Sequence, residues 1–232
     1  MASHAFRIRS ITPEAENVRT VMLTPADAGA ETYAWKAGQF AIVTLPNGLE
    51  RPWTIATSPL MGTGPTFTVK VVGEGTKALT SLQPGTLIRL SDAMGALTLP
   101  EDAALHKHLF LASSIGITPM VAMIRDLLMR HPGTPSMLVC CMESEAAFPF
   151  REHFDMLAAT RPEFTYRAFV KCDPCEGREC GRLDAERLLA LVPDIAERRV
   201  YACGSGGFMR AASCWMQVLG VPPNHFLSEA FG

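Results

Sequence analysis

The chain has 232 residues, of which 48% are hydrophobic and 19% charged, and its formal net charge is −2. This composition is typical of a globular protein with a large core, and the charge argues against nucleic acid as a partner. The first residues, MASHAFRIR, lack the apolar run of a signal peptide, and no run of about 18 apolar residues predicts a membrane span. Seven cysteines without an export signal favour reduced thiols and a cytoplasmic location.

Residues 1–102 are predicted to form a β domain. Short apolar runs separated by Gly, Pro and Asn indicate five or six strands, within FRIRSITPEAENVRTVMLTP, GQFAIVTL, RPWTIATSP, TFTVKVV and TLIRLSD. Strands at such short spacing, without a convincing helix between them, predict a six-stranded antiparallel barrel. SLQPG, residues 81–85, predicts a short helix or a turn.

Residues 103–232 follow a different pattern. Predicted strands HLFLASS, SMLVCCM, FTYRAFV, RRVYACG and HFLSEAFG alternate with apolar-striped helices, of which DAERLLALV has Asp184 as its expected N-cap. Alternating strands and helices predict a Rossmann-like parallel sheet covered on both faces. In such sheets ligands bind at the carboxyl ends of the strands.

The stretch RPWTIATSP, residues 51–59, allows two interpretations. In a structural one, Pro52 starts an edge strand and Trp53 caps a core. In a chemical one, Arg51 binds a phosphate, the Trp53 face covers a flat ring and the Thr54 hydroxyl bonds a ring heteroatom.

Three glycine-containing turns also allow both kinds of explanation. VKVVGEGTKAL, residues 69–79, is either a phosphate-binding turn or a hairpin. ASSIGITPM, residues 112–120, follows a strand and opens a helix, so it is either an anion-binding turn or an ordinary strand-to-helix connection. YACGSGGFM, residues 201–209, places a thiol at the carboxyl edge of the sheet, or buries a structural cysteine.

Taken in this order, the motifs R-P-W-T, G-x-G-T, G-x-x-P, C-G-x-x-x-F-M and S-E-x-F resemble those of the ferredoxin–NADP reductase family, over essentially the whole chain. The resemblance is closest to stand-alone reductase modules that feed oxygenases. VVGEGTKALTSLQPG is also similar to the flavin subunit of dihydroorotate dehydrogenase. The resemblance implies a flavin-binding barrel at 1–102 and a nicotinamide-binding domain at 103–232.

The resemblance assigns flavin contacts in the barrel. Arg51 is expected to bind the flavin phosphate, Trp53 to stack on the isoalloxazine in place of the family's usual tyrosine, and Thr54 to bond near flavin N5. The remaining expected flavin contacts are Pro52, Thr68, Val69, Lys70, Gly75, Thr76 and Phe231. FAD is favoured over FMN because Arg51 and Thr76 suit a pyrophosphate.

The resemblance also assigns the nicotinamide site. Cys203 and Glu229 join Thr54 as the candidate catalytic residues at the reacting centre. The expected dinucleotide contacts are Ser113, Ser114, Gly116, Thr118, Pro119, Glu143, Cys203, Gly204, Ser205, Phe208 and Met209. Ser113-Ser114 departs from the family's usual glycines. Glu143, at the end of a predicted strand, favours NADH over NADPH because a carboxylate repels a 2′-phosphate, and no Arg or Lys follows before Arg151.

Cys172, Cys175 and Cys180 follow a C-x2-C-x4-C spacing. Only three ligands are local and the order reverses that of plant-type ferredoxins, so a reduced loop is favoured over a zinc or iron–sulfur site and no metal is predicted.

The favoured function is an NAD(P)H-dependent flavoprotein reductase that delivers single electrons to a separate acceptor protein, such as a ferredoxin, another iron–sulfur protein or an oxygenase. The alternatives are a flavoprotein relay or regulatory subunit whose nicotinamide site Ser113-Ser114 has disabled, and a metal-binding electron carrier that uses the Cys172 loop.

Overall fold

A computed structural model describes residues 3–27, 33–171 and 179–231, with backbone only for Glu179–Cys180. The first sheet contains β1 (Ser3–Ala15), β2 (Val18–Pro25), β3 (Phe40–Thr44), β4 (Glu50–Thr54), β5 (Thr66–Lys70) and β6 (Leu87–Ser91). Its strands are antiparallel in the order β4-β3-β6-β1-β2-β5.

The first sheet curls until its two edge strands meet. Just beyond β4, Ile55 forms an antiparallel bridge with Phe67 of β5, and the Ala56 N–H donates to the Thr66 carbonyl at 2.7 Å. Side chains on the inner face of this curl, including those of Val43, Phe67 and Leu90, are fully buried. The predicted six-stranded antiparallel barrel is therefore confirmed.

Helix α1 (Glu74–Thr80) lies between β5 and β6, whereas SLQPG forms its C-cap and the following turn. The turn predicted as one alternative for SLQPG is thus confirmed, and the helix lies one segment earlier, in a stretch predicted as a phosphate-binding turn or a hairpin. The Thr76 hydroxyl starts the real helix by accepting the N–H groups of Val72 and Gly73 at 3.1 and 3.2 Å, and Leu79 anchors it in the barrel core.

The second sheet is entirely parallel. It contains β7 (His108–Ser113), β8 (Ser136–Met142), β9 (Phe164–Val170), β10 (Glu179–Cys180), β11 (Arg199–Ser205) and β12 (Phe226–Phe231) in the order β10-β9-β8-β7-β11-β12. The connecting helices are α2 (Ile117–Arg130), α3 (Arg151–Thr160), α4 (Ala185–Leu191) and α5 (Gly206–Val218). As predicted, Asp184 caps α4 by accepting the Arg187 N–H at 2.9 Å.

Two apolar clusters cover the two faces of the second sheet. One includes buried side chains of α2 and α3, and the other those of α4 and α5. The sequence order of the strands reverses between β7 and β11, so the crevice at their carboxyl ends is the expected ligand site of a doubly wound sheet. The predicted Rossmann-like fold is confirmed. Within the described residues, no helix is both long and apolar enough to cross a membrane.

Candidate active site

A pocket of about 430 Å³ opens on the outside of the barrel and is here called the barrel pocket. Strands β4 and β5 form one side, and the C-terminal strand β12 with the turn after β7 forms the other. It brings together eleven of the predicted site residues: Arg51, Pro52, Trp53, Thr54, Thr68, Val69, Lys70, Thr76, Thr118, Glu229 and Phe231. The sequence analysis missed four further lining residues, Phe40, Val72, Ile115 and Ala230.

Strand β4 serves both interpretations of RPWTIATSP. It pairs only with β3 along its length, so Pro52 costs no ladder hydrogen bond on the free edge. The half-buried Trp53 ring lies 6.5 Å from that of Phe67 and packs on the barrel core, yet it also lines the pocket. Thr54 is buried beside it. The structural interpretation is therefore compatible with the chemical one, which stays a prediction.

The residues of the barrel pocket fit a flavin. Among the described residues Arg51 has no carboxylate partner, so its permanent charge is available to a phosphate. A Cβ on Gly75 would lie 2.9 Å from the Arg51 Cγ, so the first turn of α1 rests directly on this side chain. The N–H groups of Val72 and Gly73 are already bound to Thr76, so these two donors are not available to an anion, whereas the Arg51 guanidinium is. Trp53 supplies an aromatic face.

The candidate reacting residues separate into two groups. Thr54 and Glu229 share the barrel pocket, and burial raises the pKa of Glu229. Cys203 is fully buried in β11, in register with Glu229 of β12 and Ala112 of β7, and does not line the barrel pocket. Burial and, less strongly, the charge of Glu229 raise the pKa of the Cys203 thiol. This thiol is therefore protonated near neutral pH.

A second pocket of about 480 Å³, here called the sheet-edge pocket, lies at the carboxyl ends of the second sheet. Its predicted members are Ser113, Ser114, Glu143, Ser205 and Phe208. Lys70 lines both this pocket and the barrel pocket, so the two adjoin. The sequence analysis missed the other lining residues, which are Cys141, Met142, Phe169, Lys171, Gly181, Arg182, Leu183, Ala211 and Trp215.

Four predicted contact residues, Gly116, Gly204, Pro119 and Met209, do not line either pocket and instead pack next to residues that do. A Cβ on Gly116 would lie 2.3 Å from the Cys203 carbonyl oxygen, so this glycine lets the turn after β7 pack on β11. A Cβ on Gly204 would lie 3.0 Å from Ser113 Oγ and 2.9 Å from a Phe208 ring carbon. Pro119 and Met209 are buried or nearly so.

Ser114 adopts a left-handed conformation with φ of 50°. Such a backbone favours glycine, so the serine at this position, unlike the extended Ser113, has a strained conformation.

The Glu143 carboxylate is surrounded by cations. Lys70 Nζ lies 3.0 Å from one oxygen and Lys171 Nζ lies 3.7 Å from the other, and Arg182 lines the same pocket. The hydrogen bond and charge of Lys70, followed by Lys171, lower the pKa of Glu143. The observation that no cation follows Glu143 before Arg151 therefore holds along the chain but not in space.

The cysteine-rich insert is mostly beyond the structure. Cys172 and Cys175 lie outside the described residues, as does the side chain of Cys180. The described residues contain no group of three or more potential metal ligands.

A barrel pocket with an arginine and an aromatic face adjoins the switch point of a doubly wound sheet, an arrangement that suits a flavin beside a dinucleotide. A family model described as an oxidoreductase NAD-binding domain matches residues 110–213. The chain is 32% identical over 230 residues to the NADH oxidoreductase HCR of Escherichia coli strain K12, covering 97% of this chain and 67% of that protein. It is also 32% identical to an NADPH oxidoreductase of Mycobacterium tuberculosis, over 89% of this chain and 54% of that protein.

Solved structures agree in fold. The Amycolatopsis cytochrome P450 reductase GcoB matches with a TM-score of 0.88 and 20% identity, over 99% of this chain and 70% of that chain. The FAD/NAD-binding domain of a Vibrio cholerae nitric oxide dioxygenase matches with a TM-score of 0.85 and 20% identity, over 99% and 98% of the two chains. The chain belongs to the ferredoxin–NADP reductase family of NAD(P)H-dependent flavoprotein reductases. It spans about half to two thirds of the curated relatives named here.

Proposed function

We propose that the protein takes hydride from a reduced nicotinamide onto flavin and passes single electrons to a separate acceptor protein. The observation that carries this proposal is the meeting of the two pockets at Lys70, because it supports a flavin in the barrel pocket beside a dinucleotide in the crevice of the parallel sheet. A bound flavin supplies the conversion between a two-electron donor and a one-electron acceptor. The protein supplies binding, orientation and exclusion of water.

In this proposal residues 1–102 hold FAD and residues 103–232 hold the dinucleotide. Arg51 binds the flavin phosphate, Trp53 covers one face of the ring, and Phe231 lies on the far side of the same pocket. Thr54 hydrogen-bonds the ring at its reacting edge. Glu229 and the protonated Cys203, which are paired between β12 and β11, lie next to the nicotinamide ring. Ser113, Ser114, Ser205 and Phe208 bind the rest of the dinucleotide in the sheet-edge pocket.

The names of two further relatives support a separate acceptor. One is the stachydrine N-demethylase reductase subunit Stc4 of Rhizobium meliloti, 29% identical over 95% of this chain. The other is the glycine betaine monooxygenase reductase subunit of Chromohalobacter salexigens, 25% identical over 99% of this chain. We propose an acceptor of the oxygenase or iron–sulfur type, reached in the cytoplasm.

The test is an anaerobic absorbance titration of the flavin-loaded protein with NADH and then with NADPH. Bleaching of the flavin band, with NADH effective at the lower concentration, is the expected result. A flavin band that neither nucleotide bleaches would contradict the reductase and favour the relay subunit. The left-handed Ser114 would then be the first residue to change, as Ser114→Gly, because glycine relieves its backbone.

Removal of the Thr54 hydroxyl is expected to slow flavin reduction more than it weakens NADH binding. Thr54→Val keeps the buried shape but removes the hydrogen bond, so the rate of flavin reduction should fall about tenfold or more. Stopped-flow reduction over a range of NADH concentrations separates the rate from the dissociation constant. Thr54→Ser, which keeps the hydroxyl, should retain most of the rate. A changed dissociation constant with an unchanged rate would exclude this role.

Glu143 is expected to determine the choice between NADH and NADPH. In Glu143→Gln the charge that repels a 2′-phosphate is lost, and Lys70 and Lys171 lose their shared partner. The ratio of kcat/KM for NADPH to that for NADH should rise about tenfold. Glu101→Gln, which removes the same charge from an exposed turn, is the matched control. Equal ratios in the two variants would place the ribose elsewhere.

A further inference from the structure

A third cavity, of about 720 Å³, lies between the barrel and the second sheet and is larger than either pocket of the candidate active site. We call it the junction cavity. Its barrel side is formed by β1, β2, β5 and the segment 56–63, and its other side by Arg125 of α2 and the segment 145–153. Thr68 is the one predicted site residue that lines it. The proposed flavin and dinucleotide sites therefore leave this cavity without a role.

Arg125 is held at the wall of the junction cavity in a defined orientation. Its Nε donates to His153 Nε2 at 2.9 Å, and its guanidinium carbon lies 5.6 Å from the centre of the Phe150 ring. Burial, with a smaller effect of Arg125, lowers the pKa of His153 to about 4, so the imidazole is neutral and accepts this hydrogen bond. Among the described residues the terminal nitrogens of Arg125 make no hydrogen bond, although they remain charged.

Of the other charged groups of the junction cavity, Glu14, Arg151 and Glu145 already have partners. Glu14 accepts the Phe150 N–H at 2.9 Å through one oxygen and the Thr20 hydroxyl at 3.0 Å through the other. Arg151 pairs with Glu145 at 3.0 Å, and Glu152 is exposed on the first turn of α3. Burial lowers the pKa of Arg125, and the charge of Glu14, which makes no ion pair with it among the described residues, partly offsets this effect. Arg125 is thus the cation of this wall that a ligand can neutralise.

A buried threonine, Thr66, lines the same cavity. Thr66 is 5% exposed, and its Oγ1 has no hydrogen-bond partner among the described residues. A buried hydroxyl without a partner costs free energy, and in native proteins such groups usually bind water or a ligand. Together, Thr66 and Arg125 present a donor from each side of the cavity.

We propose that the junction cavity is a binding site for a small organic anion, with Arg125 as the ion-pairing residue and Thr66 as a hydrogen-bond donor. A guanidinium suits a carboxylate or a phosphate group, because both accept paired hydrogen bonds from its planar edge. The volume is within the range of metabolite-sized sites. The apolar side chains Met61, Phe148 and Phe150 also line the cavity, so they can contact an apolar part of the ligand next to its anionic group.

The position of the junction cavity connects this site with the barrel pocket. Thr68 lines both, and its hydroxyl lies 2.9 Å from that of Thr20, on the cavity side. An anion bound here therefore lies directly behind the strand that carries the proposed flavin contacts Thr68 to Lys70.

The test is isothermal titration calorimetry of the flavin-loaded protein with sodium benzoate and, separately, with inorganic phosphate, at an ionic strength held constant with sodium chloride. Saturable binding of at least one probe is expected, and comparison of the two probes tells a carboxylate site from a phosphate site. Arg125→Gln should weaken that binding about tenfold. Arg151→Gln is the matched control, because Arg151 lines the same cavity but is paired; its affinity should stay within about twofold of the native protein.

Thr66→Val gives an independent check if Arg125→Gln folds poorly. It should weaken binding about threefold, whereas Thr66→Ser keeps the hydroxyl and should bind like the native protein. The proposal is overturned if neither probe binds, if Arg125→Gln and Arg151→Gln weaken binding equally, or if binding occurs only in flavin-free protein. The last outcome would assign the cavity to part of the flavin. None of these measurements needs nicotinamide, so they do not depend on the proposed reductase activity.

Discussion

Replacement of Gly116 by alanine is expected to lower the free energy of unfolding by about 3 kcal/mol, a large part of the stability of a typical domain. The new Cβ would lie 2.3 Å from the Cys203 carbonyl oxygen and 2.7 Å from the Gly204 Cα. Both are backbone atoms of β11 in the middle of the parallel sheet, so no side-chain rotation can relieve the clash. Urea unfolding followed by circular dichroism measures the loss.

Gly207→Ala is the matched control for Gly116→Ala. Gly207 lies in α5, and the nearest atom to an added Cβ is the end of the Arg210 side chain at 3.9 Å. Alanine favours the helix there, so the free energy of unfolding should rise by about 0.5–1 kcal/mol. Similar midpoints for Gly116→Ala and the native protein would show that the turn after β7 can move away from β11.

Replacement of Arg51 by alanine is expected to weaken flavin binding about 30- to 100-fold, the effect of losing a charge-assisted pair with a phosphate. Arg51→Lys keeps the charge without the forked donor and should fall between alanine and the native protein. The dissociation constant is measured from the quenching of flavin fluorescence on addition of protein.

Arg89→Ala controls for the loss of a positive charge from the barrel. Arg89 is exposed on β6 and lies outside the barrel pocket, so its removal should leave flavin affinity unchanged. Equal losses in Arg51→Ala and Arg89→Ala would mean that overall charge, and not a specific phosphate contact, holds the flavin.

The fold could be predicted from the sequence because most local patterns agree with the final structure, with helix α1 as the exception. The short apolar runs before residue 92 became barrel strands, and the alternation after it became a parallel sheet. The site residues that lie in one continuous stretch, Arg51 to Thr54, were also predicted together and share one pocket. A short strand carries its neighbours to the same place, so local sequence is sufficient there.

The sequence could not show which residues from distant segments of the chain come together at a site. Lys70 comes to Glu143 from the barrel and Lys171 from the end of β9, so spacing along the chain says nothing about either ion pair. The glycines of the turns also have a packing role that the sequence did not show, and their predicted contacts with a dinucleotide stay a prediction. Gly116 and Gly204 match a binding motif, yet the space they leave is filled by backbone and by neighbouring side chains.

The barrel closes through few backbone contacts between residues 55–56 and residues 66–67, a junction here called the seam. Within the part of the chain that the structure describes, the backbone contacts that join the end of β4 to β5 are the Ile55–Phe67 bridge and the hydrogen bond between Ala56 and Thr66. Both strands line the barrel pocket. A flavin bound in this pocket would contact both strands and so stabilise the closed barrel. Opening of the seam would bare two strand edges, which are templates for intermolecular pairing. Protein stripped of its flavin should therefore be the form that aggregates on storage, and excess flavin during purification should prevent it.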